Sequence, residues 1–200
     1  MGLVFERDDF TVRCIVTPPF ENNVYLITCA ATGASLIVDA ASDPDAIAAM
    51  ADGTDVTAIA TTHGHWDHHG AIPEAADTLG APFMLHAADV EIAGKTPDVS
   101  LTEGKLSIGE VVAQVVHTPG HTPGSVCIAL DGVVLTGDTL FPGGPGATRF
   151  DHSSFDTIIE SISAKLFALP DDTVVLPGHG AATTIGTERP QMSAWIERGW

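Results

Sequence analysis

Short apolar runs punctuated by turn-formers open the chain. Residues 11–17 (TVRCIVT), 23–28 (NVYLIT) and 35–40 (SLIVDA) are separated by PPFENN and AATGA, and predict three strands of a β-meander. The rhythm changes in residues 43–53 (DPDAIAAMADG). There Ile47 and Met50 lie three apart, Asp43 is placed to cap and Gly53 to stop, which predicts a helix. Residues 56–63 (VTAIATTH) form a buried strand running straight into a histidine cluster. A helix over 71–80 ended by Gly80, a strand over 82–86 and a short helix over 87–94 follow. Hairpin-like pieces fill 101–116, and two strands, 125–130 and 132–138, flank a turn at Asp131 and Gly132. After the glycine-rich loop 141–148, residues 153–169 carry Phe155, Ile158, Ile159, Ile162, Leu166 and Phe167 at helical spacing. These predict one amphipathic helix of about four turns. A strand over 173–177 then leads to another histidine, and 188–200 read as a terminal helix. Strands, a helix pair, more strands and a final helix pair predict an α/β chain: two β-rich halves packed as sheets with helices outside.

Two hundred residues at 44% hydrophobic suffice for one core, so residues 1–200 are expected to form a single domain and disorder is excluded. Lys plus Arg number 8 against 26 for Asp plus Glu, a net charge of −18 that repels nucleic acid and anionic membranes. Cys14, Cys29 and Cys127 lie in separate apolar runs with no paired spacing, and read as buried reduced thiols. Glu6 and Arg7 interrupt what a signal peptide would need, and no run approaches a membrane span of about 20 residues. A cytoplasmic protein is the expectation.

The strongest chemical signal is THGHWDHHG, residues 62–70, in which His63, His65, Asp67 and His68 form H-x-H-x-D-H at the end of a strand. Imidazole and carboxylate suit zinc, iron or manganese. Four ligands within six residues exceed what one tetrahedral ion easily takes from so short a loop, so a pair of ions is the natural reading. The same grammar of strand, turn and polar residue recurs at His121 in HTPGHTPGS, at Asp138 closing GVVLTGD, and at His179 in LPGHG. A shared site explains these four places better than separate accidents.

On these motifs, together with NNVYLI, LIVDA and GDTLF, the chain resembles the metallo-β-lactamase superfamily over roughly residues 20 to 185, and within it the glyoxalase II branch. The resemblance implies a four-layer αββα sandwich and a binuclear hydrolase holding two divalent metal ions, zinc in the first place, with iron or manganese as alternatives. It places one ion on His63, His65 and His121 and the other on Asp67, His68 and His179, with Asp138 bridging. It further implies hydrolysis of a small thioester of the S-(2-hydroxyacyl) thiol kind by a bridging hydroxide that Asp67 orients as the catalytic residue. Expelling a thiolate of pKa about 8.5 needs little proton assistance. Glyoxalase II of the glutathione-using type has a C-terminal helical domain with basic residues. Only 21 residues follow His179, so that domain is not expected here and another thiol carrier is open.

Arg149, following the loop where relatives place substrate contacts, is the candidate cation for a substrate carboxylate, with an ordinary surface arginine as the alternative. Asp39, at the end of LIVDA, is expected to support the metal motif. His69, His86, His117 and His152 lie outside the ligand pattern and read as surface or supporting residues, His69 and His117 being the best placed to orient a ligand. Trp195 and Trp200 read as helix packing. The competing functions are a mononuclear iron persulfide dioxygenase using His63, His121 and Asp138, a lactonase or lactamase-like hydrolase, a nuclease, which the charge disfavours, and a non-catalytic metal-binding protein.

Overall fold

A computed structural model describes residues 2–199; Trp200 lies outside them. Seven strands, β1 (Gly2–Glu6), β2 (Phe10–Thr17), β3 (Asn22–Cys29), β4 (Ala34–Val38), β5 (Asp55–Ala60), β6 (Phe83–Leu85) and β7 (Val99–Ser100), build a first sheet in sequence order. It is antiparallel through β4 and parallel from β4 to β7. The second sheet uses β8 (Gly104–Ile108), β9 (Val111–His117), β10 (Val126–Leu130) and β11 (Val133–Gly137). The glycine-rich loop then makes a small hairpin of β12 (Leu140–Phe141) and β13 (Gly144–Pro145). Strands β14 (Val174–Pro177) and β15 (Thr183–Thr184) return to complete the second sheet in the order β15-β14-β11-β10-β9-β8.

The central strands β3, β4, β10 and β11 are apolar on both faces because both faces are covered. In β3, Tyr25 and Ile27 point between the sheets while Val24 and Leu26 point outward. In β10, Val126 and Ile128 face inward and Cys127 and Ala129 outward. The outer face of the first sheet is closed by α1 (Pro44–Ala51) and α2 (Ile72–Leu79) through Ile47, Met50, Ile72 and Ala75. A short α3 (Val90–Ala93) precedes β7. The second sheet is closed by α4 (Phe155–Ser161) and, past α5 (Ile185–Glu188), by α6 (Met192–Arg198), through Ile158, Ile162, Leu166 and Trp195. Three separate apolar layers therefore lie between four layers of structure, the expected αββα sandwich. Each fully buried Val, Leu or Ile in them is worth about 1.5–3 kcal/mol.

Local signals act as the sequence predicts at several ends. The Asp43 side chain accepts the Ala46 N–H at the start of α1, and Gly80 closes α2 at φ 63°. Four expectations are corrected. The helix expected over 153–169 is α-helical only to Ser161 and continues as a wider π turn over Ile162–Leu166. Residues four apart drift round an α-helix, and the wider turn offsets that drift, keeping Ile158, Ile162 and Leu166 on one buried stripe. The terminal helix is broken by a 3₁₀ turn at Arg189–Gln191, where Pro190 lacks the N–H that a continuous helix needs. Strand β1 was not expected, because its residues are mostly exposed and carry no alternation. Cys29 and Cys127 are buried, but Cys14 is only half-buried; all three are free thiols. No helix among the described residues is long and apolar enough to cross a membrane.

Candidate metal centre

The ends of β4, β5, β11 and β14, the β9–β10 loop and the start of β3 lie at one edge of the sandwich, the kind of strand-end edge where sites form. Backbone bonds stitch the two halves there: Val126 N–H to Thr62 O at 2.8 Å, and Asn23 N–H to Gly178 O at 2.8 Å. After β5 the chain passes His63, Gly64 and His65, then reverses in a 3₁₀ turn at Trp66–His68, which brings Asp67 and His68 to His179 while His68 stays beside His63.

The structure brings all seven predicted side chains together. They form three overlapping groups: His63, His65 and His121; His63, His68 and Asp138; and Asp67, His68 and His179. His65 Nδ1 lies 3.1 Å from His63 Nε2 and 2.9 Å from His121 Nε2. His68 Nε2 lies 3.2 Å from His179 Nε2 and 3.5 Å from Asp138 Oδ1. Asp67 Oδ2 lies 3.4 Å from His179 Nε2, and Asp138 Oδ2 lies 3.6 Å from His121 Nε2. Donors bound about 2.1 Å from one tetrahedral ion sit about 3.4 Å from each other, so these separations suit shared cations.

The outward nitrogens explain why the inward ones converge. His68 Nδ1 meets Asp39 Oδ2 at 3.0 Å, His121 Nδ1 meets Ala147 O at 2.7 Å, and His179 Nδ1 meets Phe20 O at 3.0 Å. His63 Nδ1 lies 3.1 Å from Thr62 Oγ1, whose own proton goes to Asp39 at 2.8 Å. Each partner accepts an N–H, so each of these four rings keeps a proton on Nδ1 and turns Nε2, the nitrogen free to ligate, toward its neighbours. In the three-histidine group, ring nitrogens facing one another at such distances with no donor between them call for a cation. The buried Oδ1 of Asp138 has no hydrogen-bond partner. A Cβ on Gly178 would lie 2.5 Å from that oxygen and 2.6 Å from His68 Cε1, so glycine leaves room for both groups. The donor set fits a pair of divalent ions.

The two ends of the cluster differ electrostatically. Burial, reinforced by the neighbouring imidazoles, holds His63 far below its usual value, and lowers His65 to about 4 and His121 to about 3. At the other end burial acts against His68, but the carboxylates of Asp138 and Asp39 outweigh it and raise the ring to about 9. The hydrogen bond that His179 donates to the Asp67 carboxylate raises His179. Burial opposes ionisation of Asp67, yet His179, His68 and the Asn22 amide together hold it well below the carboxylate range. Burial raises Asp138.

Asp39 supports the cluster as expected, accepting bonds from the Thr62 N–H at 2.7 Å, the Thr62 hydroxyl and His68. His69 and His117 do not orient a ligand ring: His69 Nε2 lies against Gly64 O, and His117 stacks on His86 and meets Pro123 O. His152, read as a surface residue, places Nε2 3.0 Å from His65 Nε2. Arg149 is exposed, its guanidinium 5.3 Å from the centroid of Phe150, and Phe150 in turn stacks on His152. Two further residues escaped the sequence reading: Asn22, whose amide donates to Asp67 Oδ2 at 3.1 Å, and Asp89. Trp195 is buried under the second sheet.

Comparisons with known proteins agree with this architecture. Residues 17–179 match the family described as the metallo-beta-lactamase superfamily. A hydroxyacylglutathione hydrolase of Rhodospirillum rubrum is 36% identical over 165 residues, which cover 80% of this chain and 62% of that longer protein. Among solved structures, one described as the BLEG-1 B3 metallo-beta-lactamase superposes with a TM-score of 0.81 at 31% identity, covering 90% of this chain and 96% of that one. Another, described as TTHA1623 in a di-iron-bound form, gives a TM-score of 0.80 at 30% identity, covering 88% and 96%. The match spans every strand-end loop that carries the cluster, and the chain belongs to the metallo-beta-lactamase superfamily.

Proposed function

We propose that this chain, with residues 1–200 acting as one domain, is a binuclear metal-dependent hydrolase of a small thioester, of the S-(2-hydroxyacyl) thiol class. The observation that carries the reading is the pair of donor groups on either side of one shared carboxylate, Asp138. His63, His65 and His121 would hold one ion, Asp67, His68 and His179 the other, with Asp138 between them. When bound, two such ions lower the pKa of water toward about 7 and polarise a carbonyl. Zinc suits this mixture of imidazole and carboxylate, and the di-iron neighbour makes iron the alternative.

The chain's own groups do the rest. Asp67 is held ionised, its Oδ2 fixed by the Asn22 amide and by His179, so it can accept a hydrogen bond from attacking water and orient that water toward the acyl carbon. The departing thiolate leaves without a dedicated acid. Exposed Arg149 supplies a cation for a substrate carboxylate in a chain of strongly negative charge. The similarity to a hydroxyacylglutathione hydrolase favours the thioester. Opening of a β-lactam amide is the second reading, favoured by the likeness to the B3 metallo-beta-lactamase.

The test is thiol release by the metal-loaded protein from S-lactoyl conjugates of several low-molecular-weight thiols. Turnover of at least one conjugate, lost in Asp67→Ala, is expected. Opening of β-lactams with no thiol release would establish the second reading, and oxygen uptake on a persulfide with no thiol release would make the protein a dioxygenase.

A further inference from the structure

We propose that Asp89 is a positioning residue that clamps the two loops of the three-histidine group and so sets the affinity of that half of the centre alone. The inference rests on the metal reading above and not on the identity of the substrate. Asp89 is 0% exposed and stands just before α3, outside every motif and outside the ligand groups. Its carboxylate accepts three hydrogen bonds. Oδ2 takes the Gly64 N–H at 2.7 Å and the Thr122 hydroxyl at 2.6 Å, and Oδ1 takes the Gly124 N–H at 2.6 Å. Gly64 lies between His63 and His65, and Thr122 follows His121 directly. One side chain thus ties together the two chain segments that supply all three imidazoles.

The packing is as close as the bonding. A Cβ on Gly64 would lie 2.8 Å from Asp89 O, and one on Gly124 would lie 2.6 Å from Asp89 Cγ. Both loops are pressed onto this residue, and both present glycine where a side chain would push them off. The groups that meet the carboxylate are neutral backbone N–H donors and a hydroxyl. A buried carboxylate satisfied only by neutral donors is costly unless positive charge lies nearby. A cation held by the three-histidine group, whose two chain segments this carboxylate ties together, would supply that charge. None of these bonds reaches Asp67, His68 or His179, so the effect is confined to one half.

The experiment is competition for Zn²⁺ between the metal-free protein and a chromophoric chelator. The binding step that survives in His179→Ala is assigned to the three-histidine group. Asp89→Asn keeps the shape but replaces an acceptor oxygen with a donor, so it cannot accept all three bonds. It is expected to weaken the three-histidine step by about 10- to 100-fold, the usual range for groups that hold ligands in place, with the other step unchanged. Equal weakening of both steps would show a role in the fold only, and unchanged affinity at the three-histidine step would remove any role; either overturns the proposal. If Asp89→Asn does not fold, Thr122→Val decides. It removes one bond and leaves the charge, so the same step should weaken by a smaller factor, and no change there overturns the clamp. Should the wild-type protein bind one ion only, the binuclear reading fails while the comparison at the three-histidine step still stands.

Discussion

Adding one methyl group at Gly178 tests how tightly the centre is built. The new Cβ would stand 2.5 Å from Asp138 Oδ1 and 2.6 Å from His68 Cε1. Ordinary contact begins near 3.4 Å, so both groups must give way, by about 0.9 Å for Asp138 Oδ1 and about 0.8 Å for His68 Cε1, in a close-packed surrounding. The backbone cannot retreat instead, because Gly178 N–H is bonded to Gly137 O and Gly178 O receives the Asn23 N–H, both at 2.8 Å. A misplacement of about 1 Å costs on the order of 100-fold in rate, or about 2.7 kcal/mol of transition-state stabilisation. Overpacking of this kind costs about 1–3 kcal/mol of folding stability, which a two-layered β core tolerates. Gly178→Ala should therefore fold, with kcat/KM for thioester hydrolysis down about 100-fold and metal content reduced at the shared position. The assay is thiol release with elemental analysis on the same sample. Wild-type activity with wild-type metal content would refute the view that Asp138 and His68 are fixed by this contact.

Two other predictions follow from the same geometry. Asp39→Ala leaves the Thr62 N–H, the Thr62 hydroxyl and His68 Nδ1 without their acceptor; a loss of about 3 kcal/mol, or about 6–12 °C in the melting temperature of the metal-free protein, is expected by calorimetry. The metal-free protein should be most stable near pH 6.5. Below that, His65 and His121 stay neutral in the fold while the unfolded chain takes up protons, so stability falls as pH drops toward 4 and then 3. Above it, His68 keeps its proton only in the fold, and its contribution, complete below 6.5, is lost as pH rises through about 9. Thermal melts from pH 4 to 9 check both limbs, and a monotonic rise across the range would contradict the assignment of His68.

Much of the sandwich was legible because its central strands are covered on both faces and so read as continuous apolar runs. Strand β1 was not, since an exposed edge strand needs no apolar pattern. The π turn after Ser161 was also hidden: its apolar spacing satisfies an α-helix equally well. His63, His65, Asp67 and His68 stood out because four donors fall within six residues, and His121, Asp138 and His179 because each ends a strand in a turn. Asn22, Asp89 and His152 have no such signature. Each meets its partner across a long stretch of chain, His152 with His65 and Asn22 with Asp67, and a single polar residue carries no period to reveal it. Ranking His69 and His117 as the best placed of the remaining histidines to orient a ligand used proximity in sequence where proximity in space decides.

The count of metal ions per chain tests the central claim most directly. Elemental analysis of the purified protein, against a concentration fixed by amino-acid analysis, should give about two divalent ions per chain, falling to about one in His179→Ala. A single iron per chain in the wild-type protein, unchanged by His179→Ala, would contradict the binuclear centre and with it the proposed hydrolysis.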